Sequence, residues 1–122
     1  MMNRQRPYGF VRTFQNLLTK VLEANYNDPL RGFVDNRATV QSIYDDLVVT
    51  PEWNNSEVQV AQIKFQENLV KDFTSPQDKV GCLVTFCIQT FAVTQDAQKH
   101  LSTLLVAIPT LIHVLNQINE PS

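Results

Sequence analysis

The chain has 122 residues, enough for one domain with a real core and no room for a second. Ten basic residues against twelve acidic ones give a net charge of -2, which leaves no excess positive charge to neutralise phosphates, so nucleic acid is not an expected partner. Only three glycines among 43% hydrophobic residues exclude a turn-rich β-sandwich and a disordered chain, and point to an all-α fold, a compact bundle of five to seven helices around a buried central helix.

Pro7 suits a first helical turn, and Phe10, Phe14, Leu17, Leu18, Val21 and Leu22 then recur at three- and four-residue spacing, which predicts an amphipathic first helix over residues 7–26. Asn27-Asp28-Pro29 breaks it, and residues 30–36 read as an irregular connection with Phe33 tucked inward. Residues 37–49 turn helical again with Val40, Ile43 and Leu47 on one face and Tyr44 at its margin, until Thr50-Pro51 stops the helix and Trp53 anchors the following loop. Asn55 or Ser56 caps a third long helix whose stripe is Val58, Ala61, Phe65, Leu69 and Phe73.

Ser75 as N-cap, Pro76 at the first helical position and Asp78 in the first turn launch the next helix. Residues 80–93 carry no charge and are apolar on nearly every side, which predicts the central helix, buried all round. The run falls short of the roughly 20 apolar residues that a bilayer requires. Gly81 inside it costs about 1 kcal/mol against alanine, for which either close packing of a neighbouring helix or the approach of a ligand would be the reason. Thr94 and Asp96 cap a last helix with the stripe Ala97, Leu101, Leu104, Leu105, Ile108, Leu111, Ile112, Leu115 and Ile118, kinked or split at Pro109.

Chemistry finds little support in these patterns. His100 and His113 stand thirteen apart on one helix, Cys82 and Cys87 point about 140° apart, and there is no glycine-rich phosphate loop, so neither a catalytic site, a metal nor a cofactor is expected. Adjacent Asp45 and Asp46 diverge by about 100° and read as a solvated acidic edge. Unpaired cysteines suit a reducing, cytoplasmic setting, in which the Asn54-Asn55-Ser56 sequon stays unmodified. No basic stretch followed by an apolar one opens the chain and its last residues are polar, so neither a secretory leader nor a tail anchor is expected.

Three stretches recur in a familiar order: Phe10-Val11-x-x-Phe14-x-x-x-Leu18, then Val40-Gln41-Ser42-Ile43-Tyr44-Asp45-Asp46-Leu47, then the passage from Phe65 through Ser75-Pro76-Gln77-Asp78-Lys79 into Val80-Gly81-Cys82-Leu83-Val84-Thr85-Phe86. With the helix count, they resemble the fourth, third (death-promoting) and first homology motifs of the Bcl-2 family of apoptosis regulators. There are departures: Tyr44 replaces a small residue, Pro76-Gln77-Asp78 stands where the family has Asn-Trp-Gly, and Lys79 replaces its groove arginine. The family's second motif is not visible. Divergence this deep looks like a viral member.

The resemblance implies a single Bcl-2-like domain over residues 1–122 that sequesters the amphipathic death-motif helix of pro-apoptotic Bcl-2 proteins in a hydrophobic groove, the helix-in-groove mode. The implied groove residues are Ile43, Leu47, Phe65, Leu69, Val80 and Leu83, with Lys79 facing the ligand's aspartate; the death-motif-like residues are Val40, Ile43, Asp45 and Leu47. A lysine cannot form the bidentate carboxylate fork and Asp78 opposes an acid, which predicts a weak or narrow binder. The implied setting is the cytosol, of the host if viral, with mitochondria reached through partners. A homodimer through exposed apolar faces stays open. Two other readings stand beside this one: a viral Bcl-2 fold that blocks inflammatory signalling by binding adaptors on an outer face, and an unrelated helical scaffold or assembly subunit.

Overall fold

The computed structural model describes residues 9–24 and 27–119. Among these the chain is an all-α bundle of six helices without a strand: α1 Gly9–Glu23, α2 Pro29–Asp35, α3 Arg37–Val48, α4 Ser56–Asp72, α5 Pro76–Val93 and α6 Ala97–Asn119, with a 3₁₀ turn at Pro51–Asn54 before α4. Pro7 and residue 26, the expected ends of the first helix, lie outside the described residues.

α1 buries Phe10, Val11, Phe14, Leu17, Leu18 and Val21 along one side, while Leu22, expected on the same stripe, is half exposed. The connection expected over residues 30–36 is instead the short helix α2. Asp28 accepts from the Leu30 amide at 3.0 Å and Pro29 occupies the first turn, the same cap-then-proline device that launches α5. Phe33 does tuck inward and stacks on Phe14 with ring centroids 6.4 Å apart. α3 sends Val40, Ile43 and Leu47 into the core. Thr50 then closes it by donating to the Leu47 carbonyl at 2.7 Å. Trp53 sits in the 3₁₀ turn and meets Tyr44 edge-on at 5.6 Å, which gives the large residue at position 44 a packing role.

The lack of charge over residues 80–93 does not translate into burial on every side. α5 buries one face, Val80, Leu83, Val84 and Cys87 with Lys79 at its edge, while Thr85, Ile88, Gln89 and Val93 are exposed. The central helix is α6: it packs against α1, α3, α4 and α5, and Leu101, Leu104, Leu105, Ala107, Ile108, Leu111, Val114 and Leu115 are each at most 2% exposed. Apolar character and burial part company because a helix at the periphery is covered on one side only, whereas a helix surrounded by four others is covered on most of its circumference. α6 is also the one described helix long and apolar enough to cross a membrane by length and composition, with 56% of its most apolar window buried inside the protein.

Pro109 lies inside α6 without ending it. A proline carries no N–H, so the carbonyl one turn earlier, that of Leu105, loses its helical donor. The Gln62 side chain of α4 takes that place, donating to the Leu105 carbonyl at 2.7 Å. Arg37 likewise reaches from the start of α3 to the Leu115 carbonyl at 2.6 Å. α4 packs on α6 along its length, but its own apolar stripe is covered only in part. Of its expected stripe only Leu69 is fully buried, Val58, Phe65 and Phe73 are half-buried, and Ala61 is exposed.

Candidate functional site

α4 leaves a gap on its flank because it packs on α6 and meets α5 mainly through one pair of rings, Phe65 and Phe86, whose centroids are 5.0 Å apart. Beside that bridge lies an open cleft of about 420 Å³ lined by Phe65, Phe73, Gly81, Cys82, Thr85, Phe86 and Gln89. The lining is three aromatic rings, a thiol and a bare stretch of backbone, rimmed by a hydroxyl and an amide. Such a surface suits an apolar side chain, or a row of them, better than a charged group.

Gly81 is the informative position. Of the two reasons expected for a glycine there, close packing of a neighbouring helix is overturned: a Cβ built on Gly81 meets nothing within 4 Å. The backbone of α5 is left bare at the edge of the cleft, so the helix-propensity penalty has no compensation inside the chain.

The residues to which the sequence pointed fall in three places. Ile43, Leu47, Leu69, Val80 and Leu83 are core residues at 3% exposure or less, so none of them faces an open surface as the chain is folded. Phe65 lines the cleft. Lys79 is 9% exposed, and no carboxylate of the described residues lies within ion-pair distance of its ammonium. Positions 79, 82 and 86 share one stripe of α5 by helical spacing, which puts Lys79 in line with the cleft-lining Cys82 and Phe86, one turn beyond them. Of the death-motif-like set, Val40, Ile43 and Leu47 are fully buried, whereas Asp45 is exposed and accepts from Gln41 at 3.0 Å.

Acidic chemistry shares that end of the cleft. The Cys82 thiol is raised above its ordinary value by burial and then by the nearby Asp72 carboxylate, so a thiolate is disfavoured there. Burial alone pushes the Cys87 thiol up to about 12. Among the described residues no group of three or more His, Cys, Asp or Glu side chains is placed to hold a metal ion. Phe73 and Phe86 were legible as apolar helix positions but not as surface, whereas Gly81 carried a signal, since the approach of a ligand was one of the two reasons expected for a glycine there. What hides the two rings is the assumption that apolar stripes are covered. Comparison with protein-family models, curated proteins and solved structures finds no match to this chain.

Proposed function

We propose that this protein is an anti-apoptotic regulator that holds the amphipathic death-motif helix of pro-apoptotic Bcl-2 proteins, and that it does so in the cleft between α4 and α5. The observation that carries the reading is the open apolar cleft beside Gly81, where a helix can approach the bare backbone of α5 and seat apolar side chains between Phe65, Phe73 and Phe86. Lys79, in line with the same stripe, offers a cation to the acid of such a helix, while Asp72 beside Cys82 tempers that attraction. In this reading the groove lies away from the core residues Ile43, Leu47, Leu69, Val80 and Leu83, and of the residues implied by the resemblance it keeps Phe65 and Lys79. In this reading the protein acts from the cytosol and reaches mitochondria through its partners.

Titration of labelled synthetic death-motif peptides tests the reading. Binding of at least one peptide, lost on Gly81→Leu with thermal stability kept and weakened on Lys79→Gln, which keeps most of the buried stem, is expected. No binding of any peptide at high micromolar concentration sinks it. A second reading, adaptor binding on an outer face, draws on the apolar depression of about 310 Å³ between α1 and α5, where Leu18, Leu22, Ile88, Phe91 and Ala92 lie together. Co-precipitation of inflammatory signalling adaptors that Ile88→Asp abolishes and Gly81→Leu spares, with no effect on cell death, selects that one.

A further inference from the structure

The outward side of α4 carries an ordered apolar seam that the bundle does not use. Val60, Ile63 and Val70 are each 55–58% exposed, and with Glu67 they fall at spacings of three, four and three, the a and d positions of two coiled-coil heptads. Glu57, Lys64 and Lys71 occupy the flanking positions that face a partner helix, and all three are exposed. Ile63, Gln66, Glu67 and Val70 surround a depression of about 350 Å³ walled by Lys71 and by His113 of α6. Four residues at these spacings are the hole that receives one side chain of a facing helix in knobs-into-holes packing.

We propose that two copies of this chain pair through α4, antiparallel about a two-fold axis near residues 64–65. The charges select both occupant and direction. In parallel pairing, Glu67 would stand against Glu67 of the second copy in the middle of the seam. Antiparallel pairing sets Glu67 opposite Ile63 and Glu57 opposite Lys71 of the second copy, each twice by symmetry; it also brings Lys64 against Lys64 at the axis, where the Glu67 side chains of both copies flank them and offset the like charge. Val60 then meets Val70, and Ile63 of each copy enters the depression of the other. The seam lies about 140° to 160° around α4 from Phe65, so the cleft between α4 and α5 stays open in the pair. With two heptads and one buried acid, the contact belongs with weak, concentration-dependent interfaces below about 1,200 Å².

Sedimentation of the purified full chain from low to high micromolar concentration tests the pairing. A monomer–dimer equilibrium is expected, weakened about tenfold or more by Ile63→Glu and about tenfold by Glu57→Lys, since each swap acts twice across the axis. Adding Lys71→Glu to Glu57→Lys returns the dimer to within about twofold of the parent, because the pair attracts again with signs exchanged. These positions are exposed, so circular dichroism of each variant stays that of the parent. A chain that remains monomeric at high micromolar concentration overturns the proposal and leaves the seam to another occupant. So does a dimer that Ile63→Glu leaves unchanged, or a charge reversal that the second substitution fails to restore.

Discussion

The pairing of Gln62 with Pro109 can be measured as a coupling. Gln62→Met keeps the length and most of the volume of the side chain but removes the donor to the Leu105 carbonyl. That carbonyl has no helical donor, because residue 109 is proline, so the substitution leaves it without a protein partner. An orphaned buried acceptor costs about 1 to 3 kcal/mol, and the half-buried position of Gln62 admits some water, which puts the expected loss at about 1 to 2 kcal/mol. Pro109→Ala restores an N–H that reaches the same carbonyl along α6. In that background Gln62→Met should cost about 0.5 kcal/mol or less, a coupling of about 1 kcal/mol. Urea unfolding of the four proteins by far-UV circular dichroism reads it, and the melting temperature of Gln62→Met should fall by about 4 °C or more. An equal cost in both backgrounds would refute the reasoning, since the glutamine would then stabilise α4 for some reason unrelated to the proline.

Gly81→Ala should leave stability unchanged or raise it by up to about 1 kcal/mol, because the added methyl meets open space, whereas Leu83→Ala, two residues on but fully buried, should cost about 2 to 5 kcal/mol; thermal melts decide between them. Phe86→Ala, half-buried at the cleft, should cost less than Leu83→Ala in the same melts. At pH 8 both thiols should alkylate more slowly than in the urea-unfolded chain, and Asp72→Asn should speed Cys82 without changing Cys87, as followed by mass spectrometry. The Cys87 thiol, near 9.0 unfolded and about 12 folded, also makes stability fall as pH rises above 9, since the unfolded chain then binds fewer protons; the fall should be shallower in Cys87→Ala by up to about 1.4 kcal/mol per pH unit.

Local signals carried much of this fold. The caps at Asn55, Ser75, and Thr94 with Asp96 mark three helix starts where the structure has them, because a side-chain acceptor on an exposed amide is decided within four residues. Asp28-Pro29 carries the same chemistry, but the same residues also read as the end of the helix before them. The hierarchy of burial was less legible. Residues 80–93 and the α6 stripe look alike as apolar sequence, and what separates them is how many neighbours surround each helix, a property of topology. The same limit hid the cleft: Phe65, Phe73 and Phe86 read as core, and only the spacing between α4 and α5 leaves them open.

Val40, Ile43 and Leu47 show why similarity to a short motif must be weighed against packing. Their positions within the death-promoting motif are apolar at helical spacing and bracket an acid, and each of those properties follows equally from a helix that lays one side on a core and turns Asp45 to water. With the three side chains at 0–1% exposure, presenting this stretch as a ligand to another protein would require α3 to leave the bundle, at about 2 to 5 kcal/mol for each large side chain uncovered. Binding in the cleft of α4 and α5 requires no such departure. A substitution at Ile43 would therefore change binding and stability together whatever the protein does, whereas Gly81 and Phe86 change the shape of an exposed cleft with the core intact. The discriminating variants are those at the cleft, and a function assigned from Ile43 or Leu47 variants alone would be a measurement of folding.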